Sequence, residues 1–139
     1  MILLDTNVVS ELMKPAPAAA VARWIAEQPA TTLYTSSITQ AEVLHGILLL
    51  PAGRRRSTLE AAAEAMFDED FGGRVLPFGS DAARAYAQIA AQRRRSGRPI
   101  SNFDAQIAAI TRTARAAVAT RNVGDYDDCG IKVLNPWDA

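Results

Sequence analysis

The sequence predicts an α/β fold in which a short, mainly parallel sheet is packed between helices. Three observations predict it. Short apolar runs suit buried strands, and longer segments with helical periodicity alternate with them. The chain also has a suitable size, because 139 residues with 49% hydrophobic content suit one domain, over 1–139, with a sizeable core.

The first strand is predicted near the N-terminus. Ile2–Leu4 is apolar at every position, which is the pattern of a strand covered on both faces. A short helix is expected to begin at about Thr6 and to end before Pro15. A second helix is expected over 18–27, and a second strand over 33–35.

Two capping boxes predict where the next two helices start. Ser37 and Gln40 have the spacing in which a serine caps a helix and a later side chain reaches back, so a helix is expected from there towards Leu50. Ser57 and Glu60 repeat this spacing, so a further helix is expected to begin at Ser57.

The middle of the chain predicts a third strand and a long helix. The strand is expected over 74–78, where a short apolar run stands. Ser80 is expected to cap a helix that runs to about Arg95. Gly97 and Pro99 are expected to end that helix.

The last elements place two polar segments at the same edge of the sheet. A final long helix is expected from Ser101, and two strands over 117–120 and 132–134. In open parallel sheets, sites lie beyond the carboxyl ends of the strands. Asp5 follows the first strand and the turn 120–125 follows the fourth, so both face one crevice if these strands are neighbours.

Acidic residues could gather at this crevice, although several have simpler explanations. Asp5 could cap a helix, and Asp125 could be an ordinary turn residue. Asp104 stands three residues after Ser101, where a carboxylate reaches back to the cap. Glu42 differs, because it lies too deep in its helix to cap and no Lys or Arg between 36 and 51 could pair with it.

Carboxylates gathered in one place need a counter-charge. Two of them about 4 Å apart repel by roughly 4 kcal/mol at an effective dielectric of about 20. Three or four would therefore protonate, separate or bind a cation. Mg²⁺ and Mn²⁺ prefer oxygen ligands, and such an ion can acidify a water and stabilise charge on a scissile phosphate. Gathered acids would thus suit phosphodiester cleavage.

Basic residues form two clusters, although the 15 basic and 15 acidic side chains balance overall. The arginines at 93–95 are expected to end a helix, where positive charge favourably meets the helix dipole. Arg54, Arg55 and Arg56 are expected just before a helix, where they gain nothing locally. We therefore expect these three to contact the phosphates of a nucleic acid.

Several other classes of protein fit poorly. No apolar run is long enough for a membrane span, and Asp5 interrupts the N-terminal run too early for a secretory signal. The single cysteine, Cys129, cannot form an internal disulfide, and a cytoplasmic location is expected. A haloacid-dehalogenase-type phosphatase needs Asp where Asn7 stands, and a receiver domain needs a better-placed acceptor than Asp81. A Rossmann module would need a glycine-rich turn that the chain lacks.

The order and spacing of several motifs resemble those of PIN domains, and in particular those of the VapC and FitB toxins of prokaryotic toxin–antitoxin pairs. The matching segments are Leu3–Asn7, Ala41-Glu42 followed by Gly46, Phe103–Ala108, Val118–Asn122 and Asn135–Trp137. Each motif is weak alone. Together they span the chain in order and are specific.

This resemblance implies a three-layer α/β/α sandwich and a metal-dependent endoribonuclease toxin that leaves 5′-phosphate and 3′-hydroxyl ends. Asp5, Glu42 and Asp104 match the family's central acids, which are expected to hold Mg²⁺ or Mn²⁺. The fourth position is occupied by either Asn122 or Asp125. We expect Asp125 to be the fourth ligand and Asn122 to form hydrogen bonds or to position a water.

The resemblance also implies supporting residues and partners. Asn7 and Thr120 are expected to orient the acids, although each could be a local turn or cap group. The partners implied are an RNA substrate, a second copy in a homodimer, and a small antitoxin with a DNA-binding domain, assembled as a heterotetramer or hetero-octamer. The alternative is a PIN-like protein that binds RNA or antitoxin without catalysis, and the presence of all three central acids argues against it.

Overall fold

The computed structural model describes residues 1–139 and contains five short strands and six helices. The strands are β1 (Ile2–Leu4), β2 (Leu33–Ser36), β3 (Val75–Leu76), β4 (Ala117–Ala119) and β5 (Lys132–Leu134). The helices are α1 (Thr6–Leu12), α2 (Ala19–Glu27), α3 (Ser37–Leu48), α4 (Arg54–Ala65), α5 (Ser80–Arg95) and α6 (Asn102–Thr113). None of these helices combines the length and the apolar character needed to cross a membrane.

All neighbouring strands of the sheet are parallel, in the order β3-β2-β1-β4-β5. The central strand is β1, which pairs with β4 so that Leu4 lies opposite Ala119. The condition set in the sequence analysis, that the first and fourth strands are neighbours, is therefore met. Their carboxyl ends meet at one edge of the sheet.

Each face of the sheet carries its own hydrophobic core. Successive residues of a strand point to opposite faces, so Leu4 joins one core and Leu3 the other. The Leu4 side packs against α1 to α4, with Val8 fully buried between them. The Leu3 side packs against α5 and α6, through Ile89 and Ile107. This is the three-layer sandwich that the resemblance implied.

Two of the predicted helix caps are wrong by one residue. Ser36, rather than Ser37, caps α3, because its backbone is still extended and its hydroxyl accepts a hydrogen bond from the Thr39 N–H at 3.1 Å. Gly79, rather than Ser80, occupies the N-cap of α5. Ser37 and Ser80 are already the first helical residues of their helices.

The largest correction concerns α4, which begins at Arg54 and not at Ser57. Gly53 occupies its N-cap without a side-chain hydrogen bond. Glu60 was expected to reach back to Ser57, but it pairs with Arg56 at an Nε–Oε1 distance of 2.9 Å, one turn apart. The three arginines at 54–56 therefore lie in the first turn of α4, where their charge opposes the helix dipole.

Candidate active site

The Asp5 carboxyl is at the centre of the candidate site, directly after β1. The Asp5 residue is only 5% exposed, and its backbone N–H donates to the Ala119 carbonyl at 2.9 Å. The Asp5 Oδ1 accepts from the Thr6 N–H at 2.8 Å, and its Oδ2 accepts from the Thr120 hydroxyl at 2.9 Å. Burial raises the pKa of Asp5, these hydrogen bonds oppose the rise, and the charge of Asp104 adds to it. Asp5 thus caps α1 and also faces the crevice.

Asn7 and Thr120 hold the Asp5 side chain in place. The Asn7 Nδ2 donates to the Thr120 Oγ1 at 3.1 Å and lies 3.4 Å from the Asp5 Oδ2. The Asn7 Oδ1 accepts from the Arg121 N–H at 3.1 Å, and the Thr120 Oγ1 accepts from the Asn122 N–H at 3.1 Å. This network ties the end of β4 to the start of α1 and limits the rotation of the Asp5 carboxyl.

Glu42 is tied to the same place through Thr6, which sequence reasoning missed. The Thr6 hydroxyl donates to the Glu42 Oε1 at 2.7 Å and lies 3.0 Å from the Thr39 hydroxyl. Because the Thr6 N–H binds Asp5, one residue links two of the predicted acids. The sequence signal for this link was a threonine directly after Asp5, together with a threonine one helical turn before Glu42.

Asp104 lies in the first turn of α6, where the Ser101 hydroxyl accepts from its N–H at 3.2 Å. The predicted start of this helix is therefore confirmed. Burial raises the pKa of the Asp104 carboxyl, and the charge of Asp125 adds to the rise, while a hydrogen bond with Ser101 opposes it. Asp125 is exposed and belongs to a 3₁₀ turn over Val123–Tyr126.

Tyr126 is a second residue that sequence reasoning missed. Its ring is buried, and its hydroxyl lies near the Asp5 and Asp104 carboxyls without a hydrogen bond of good geometry, which is a costly state for a polar group. Burial raises its pKa far above the ordinary value, and the charges of Asp5, Asp104 and Glu42 raise it further. These three carboxyls are therefore close enough for their charges to act on the phenol. The sequence signal for a role of Tyr126 was the presence of an aromatic residue directly after Asp125.

Arg93 fixes the segment that carries Asp125. It is buried, and its Nη1 donates to the carbonyls of Asp125 and Asp127, each at 3.0 Å. Its Nε donates to the Arg98 carbonyl at 2.7 Å. Residues 93–95 lie in the last turn of α5, as expected, and Arg93 has this further role beyond the helix dipole. No local pattern distinguished it from the exposed Arg94 beside it.

The predicted RNA contacts are spread over different surfaces. Arg54 and Arg55 are exposed, Arg56 is held by Glu60, and Arg55 lines a cavity that also reaches Glu42. The side chain of Asn122 is exposed near the Asp5 network, to which only its backbone N–H contributes a hydrogen bond.

The donor atoms around Tyr126 suit a hydrated cation. Carboxylate oxygens are the ligands that Mg²⁺ and Mn²⁺ prefer. No three carboxylate, imidazole or thiolate side chains of the chain are close enough to hold one ion together. Mg²⁺ usually retains several waters and binds through one or two carboxylates, so the residues fit such an ion better than a fully enclosed one.

Comparison with known proteins gives matches along the whole chain. Residues 2–126 match the PIN domain family. The chain is 44% identical over 138 residues to the VapC ribonuclease Y4jK of Sinorhizobium fredii, with 99% of both chains covered. It is 38% identical over 137 residues to the toxin FitB of Neisseria gonorrhoeae, again with 99% of both covered.

A similar backbone is found in a solved structure of FitAB bound to an IR36 DNA fragment. The TM-score is 0.92 at 38% sequence identity, with 99% of this chain and 96% of that chain covered. The parallel sheet and its two helical layers are therefore shared with this structure.

Proposed function

We propose a function from the premise that this chain belongs to the PIN domain family and to its VapC and FitB toxins. The proposed function is that of a divalent-metal-dependent endoribonuclease. Its residues 1–139 are proposed to form one PIN domain. The observation that carries the proposal is the link from Asp5 through Thr6 to Glu42, with Asp104 close enough for its charge to act on Asp5. Burial disfavours the charged forms of Asp5 and Asp104.

The proposed cation is Mg²⁺ or Mn²⁺, held by Asp5 and Asp104, with Glu42 and Asp125 acting directly or through waters. When bound, such an ion supplies an acidified water and positive charge for the phosphate. Asp5 is pre-oriented for this role, because Asn7 and Thr120 restrain its carboxyl.

The other residues would place the RNA strand. Thr6 holds the Glu42 carboxylate facing the crevice by its short hydrogen bond. The exposed amide of Asn122 would contact the phosphate or position a water. Arg54, Arg55 and Arg56 would attract the RNA backbone, since positive charge raises the local concentration of nucleic acid. The products would carry 5′-phosphate and 3′-hydroxyl ends.

The proposed partners follow from the relatives. The structure of FitAB bound to DNA supports a small antitoxin that binds this chain and carries a DNA-binding domain. We propose that the antitoxin blocks the carboxylate crevice, that the toxin forms a homodimer, and that two or four copies of each chain assemble in the complex. The proposed place of action is the cytoplasm.

The direct test is cleavage of RNA by the purified chain. A structured RNA should be cut with Mg²⁺ or Mn²⁺, cleavage should stop in EDTA, and it should return when the metal is restored. End-mapping should find 5′-phosphates. If no RNA is cut under any of these conditions while the chain still binds RNA or antitoxin, the protein is the catalytically silent alternative.

Asp104→Asn should stabilise the metal-free protein, by no more than about 1 kcal/mol because the carboxyl is half-exposed and screened by solvent. The folded pKa of Asp104 is raised. The native state therefore holds the proton more tightly than the unfolded state, and the stability of the wild type falls as pH rises through the folded pKa. The gain should be absent near the ordinary carboxyl pKa of about 4 and complete at neutral pH.

Urea unfolding in EDTA at these two pH values measures this gain. Asp68→Asn is a control, because Asp68 is exposed and lines a cavity at the end of α4 that contains none of the candidate site residues. A lower stability of Asp104→Asn at neutral pH would contradict a crowded set of carboxyls.

Tyr126→Phe should leave the metal-free fold as stable as the wild type or up to about 1 kcal/mol more stable, because it removes a buried hydroxyl without a partner. Cleavage should nevertheless fall by about tenfold, as is typical when a group that orients metal ligands is removed. Tyr34→Phe, in the same core, should change neither. Unchanged cleavage in Tyr126→Phe would show that this hydroxyl has no part in the reaction.

A further inference from the structure

A cavity of about 340 Å³ begins at Glu42 and opens to solvent between α1, α3 and α4. We call it the Gly46 cavity, after the glycine that lines it. Its apolar lining consists of Met13, Val43, Ile47, Leu50 and Leu59. Because Glu42 belongs both to this cavity and to the carboxylate group, a ligand in the cavity would lie directly beside the candidate site.

Gly46 has no local structural reason to be a glycine. It lies inside α3, where glycine weakens a helix relative to alanine. Its φ is not positive, and a Cβ built there would meet no atom within 4 Å. Neither the backbone nor the packing therefore requires it. The effect of the glycine is to leave open space on the cavity wall.

The rim of the Gly46 cavity is cationic. Lys14, just after the end of α1, and Arg55, in the first turn of α4, both line it. Lys14 is paired with Glu11 at 3.0 Å, whereas Arg55 forms no ion pair. Arg55 also stands in the first turn of a twelve-residue helix that lacks a side-chain cap and an acidic residue there. An anion at this rim would relieve the unfavourable position of its charge.

We propose that the Gly46 cavity binds one nucleotide of the RNA strand beside the phosphate that is cleaved, an inference that rests on the proposed function. The flat base lies on the apolar wall that Gly46 leaves open, its phosphate is bound by Arg55 and Lys14, and the Ser10 hydroxyl faces the polar edge of the base. The volume suits such a ligand, because it lies at the lower end of the roughly 300–1,000 Å³ typical of small-molecule pockets. The cavity therefore selects which nucleotide stands next to the cut.

The first test is binding of the four nucleoside 5′-monophosphates to the full chain in EDTA. Binding is monitored by the changes in the amide NMR shifts of the protein. The expected shifts lie at Gly46, Leu50 and Arg55. Gly46→Leu should abolish binding, while His45→Leu, which adds the same side chain at the next position outside the cavity, should not. Arg55→Gln should weaken binding by about tenfold through loss of a charge-assisted phosphate contact. Arg84→Gln is the matched control, because Arg84 is an exposed arginine on α5.

The second test is cleavage of a randomised RNA. Gly46→Leu should change the nucleotide preference next to the cut, and Arg55→Gln should raise KM by about tenfold with kcat nearly unchanged, as expected for loss of uniform binding. Identical preferences in wild type and Gly46→Leu, or nucleotide shifts confined to the carboxylate crevice, would overturn the proposal. So would a loss of antitoxin affinity in Gly46→Leu without any nucleotide binding, because the cavity would then be a peptide site.

These outcomes separate the two proposals. If the wild type cuts no RNA, the proposed function fails, while the nucleotide titration in EDTA still decides what the cavity binds. If the wild type cuts RNA and the Gly46 variants behave like it in both tests, only the nucleotide site fails.

Discussion

Asp5→Asn is expected to reduce RNA cleavage by more than about a hundredfold, since even groups that only support a metal ligand contribute about 10- to 100-fold. Asn keeps an oxygen that can accept the Thr6 N–H, and therefore keeps the cap of α1. It cannot offer two anionic oxygens to a cation. Burial already raises the pKa of Asp5 and so favours a neutral side chain, but the Asn amide nitrogen cannot accept the Thr120 hydroxyl as the Asp5 Oδ2 does, so a small loss of stability is expected.

Cleavage of a labelled RNA by the purified variants measures this effect, with circular dichroism to confirm folding. Glu64→Gln is the control, because it removes a carboxylate that is exposed on α4 and remote from the crevice. Growth arrest on induction should follow the same order. Full activity in a folded Asp5→Asn protein would remove Asp5 from the mechanism.

Arg93→Met is expected to lower the free energy of unfolding by about 3 kcal/mol, because three backbone carbonyls lose a charged donor at about 1 kcal/mol or more each. These carbonyls belong to Arg98, Asp125 and Asp127. Met has a similar length and fills the same space without donating. Cleavage should fall as well, since the turn that carries Asp125 would no longer be held.

Urea unfolding of Arg93→Met beside Arg94→Met separates this effect from a general loss of positive charge. Arg94 is exposed, so its replacement should change stability by less than about 0.5 kcal/mol. Equal stability of the two variants would mean that solvent replaces the Arg93 hydrogen bonds without cost.

The parallel sheet was predictable from short apolar runs that alternate with helices, but the order of its strands was not. Asp5 and the 120–125 turn each follow a short buried strand, and the pairing of β1 with β4 brings both to one edge. The alternation of Leu3 and Leu4 between two cores also follows from the strand repeat.

Helix starts were less predictable, since several residues near each start could act as the cap. Ser36 and Ser37 are adjacent and chemically alike, and only the backbone conformation of Ser36 decides between them. For α4, the pairing of Arg56 with Glu60 competes with the cap expected at Ser57. Such local competition is decided by the fold and not by residue spacing.

The acids of the candidate site were proposed from the sequence, whereas the residues that hold them were not. Asp5, Glu42 and Asp104 each stand out by position in the chain. The roles of Thr6, Arg93 and Tyr126 depend on contacts between distant segments, for example the hydrogen bond from Thr6 to Glu42. The separation of the carboxyls was not predictable either, because it is a balance between repulsion and packing.

The position of β1 has a consequence for the order in which the protein is made. This three-residue strand precedes the other four in the chain, yet Ile2 pairs in register with Ala117 of β4, more than a hundred residues later. Such distant pairing must wait for late segments and slows folding. A nascent chain therefore cannot assemble the candidate site until β4 and Tyr126 have left the ribosome.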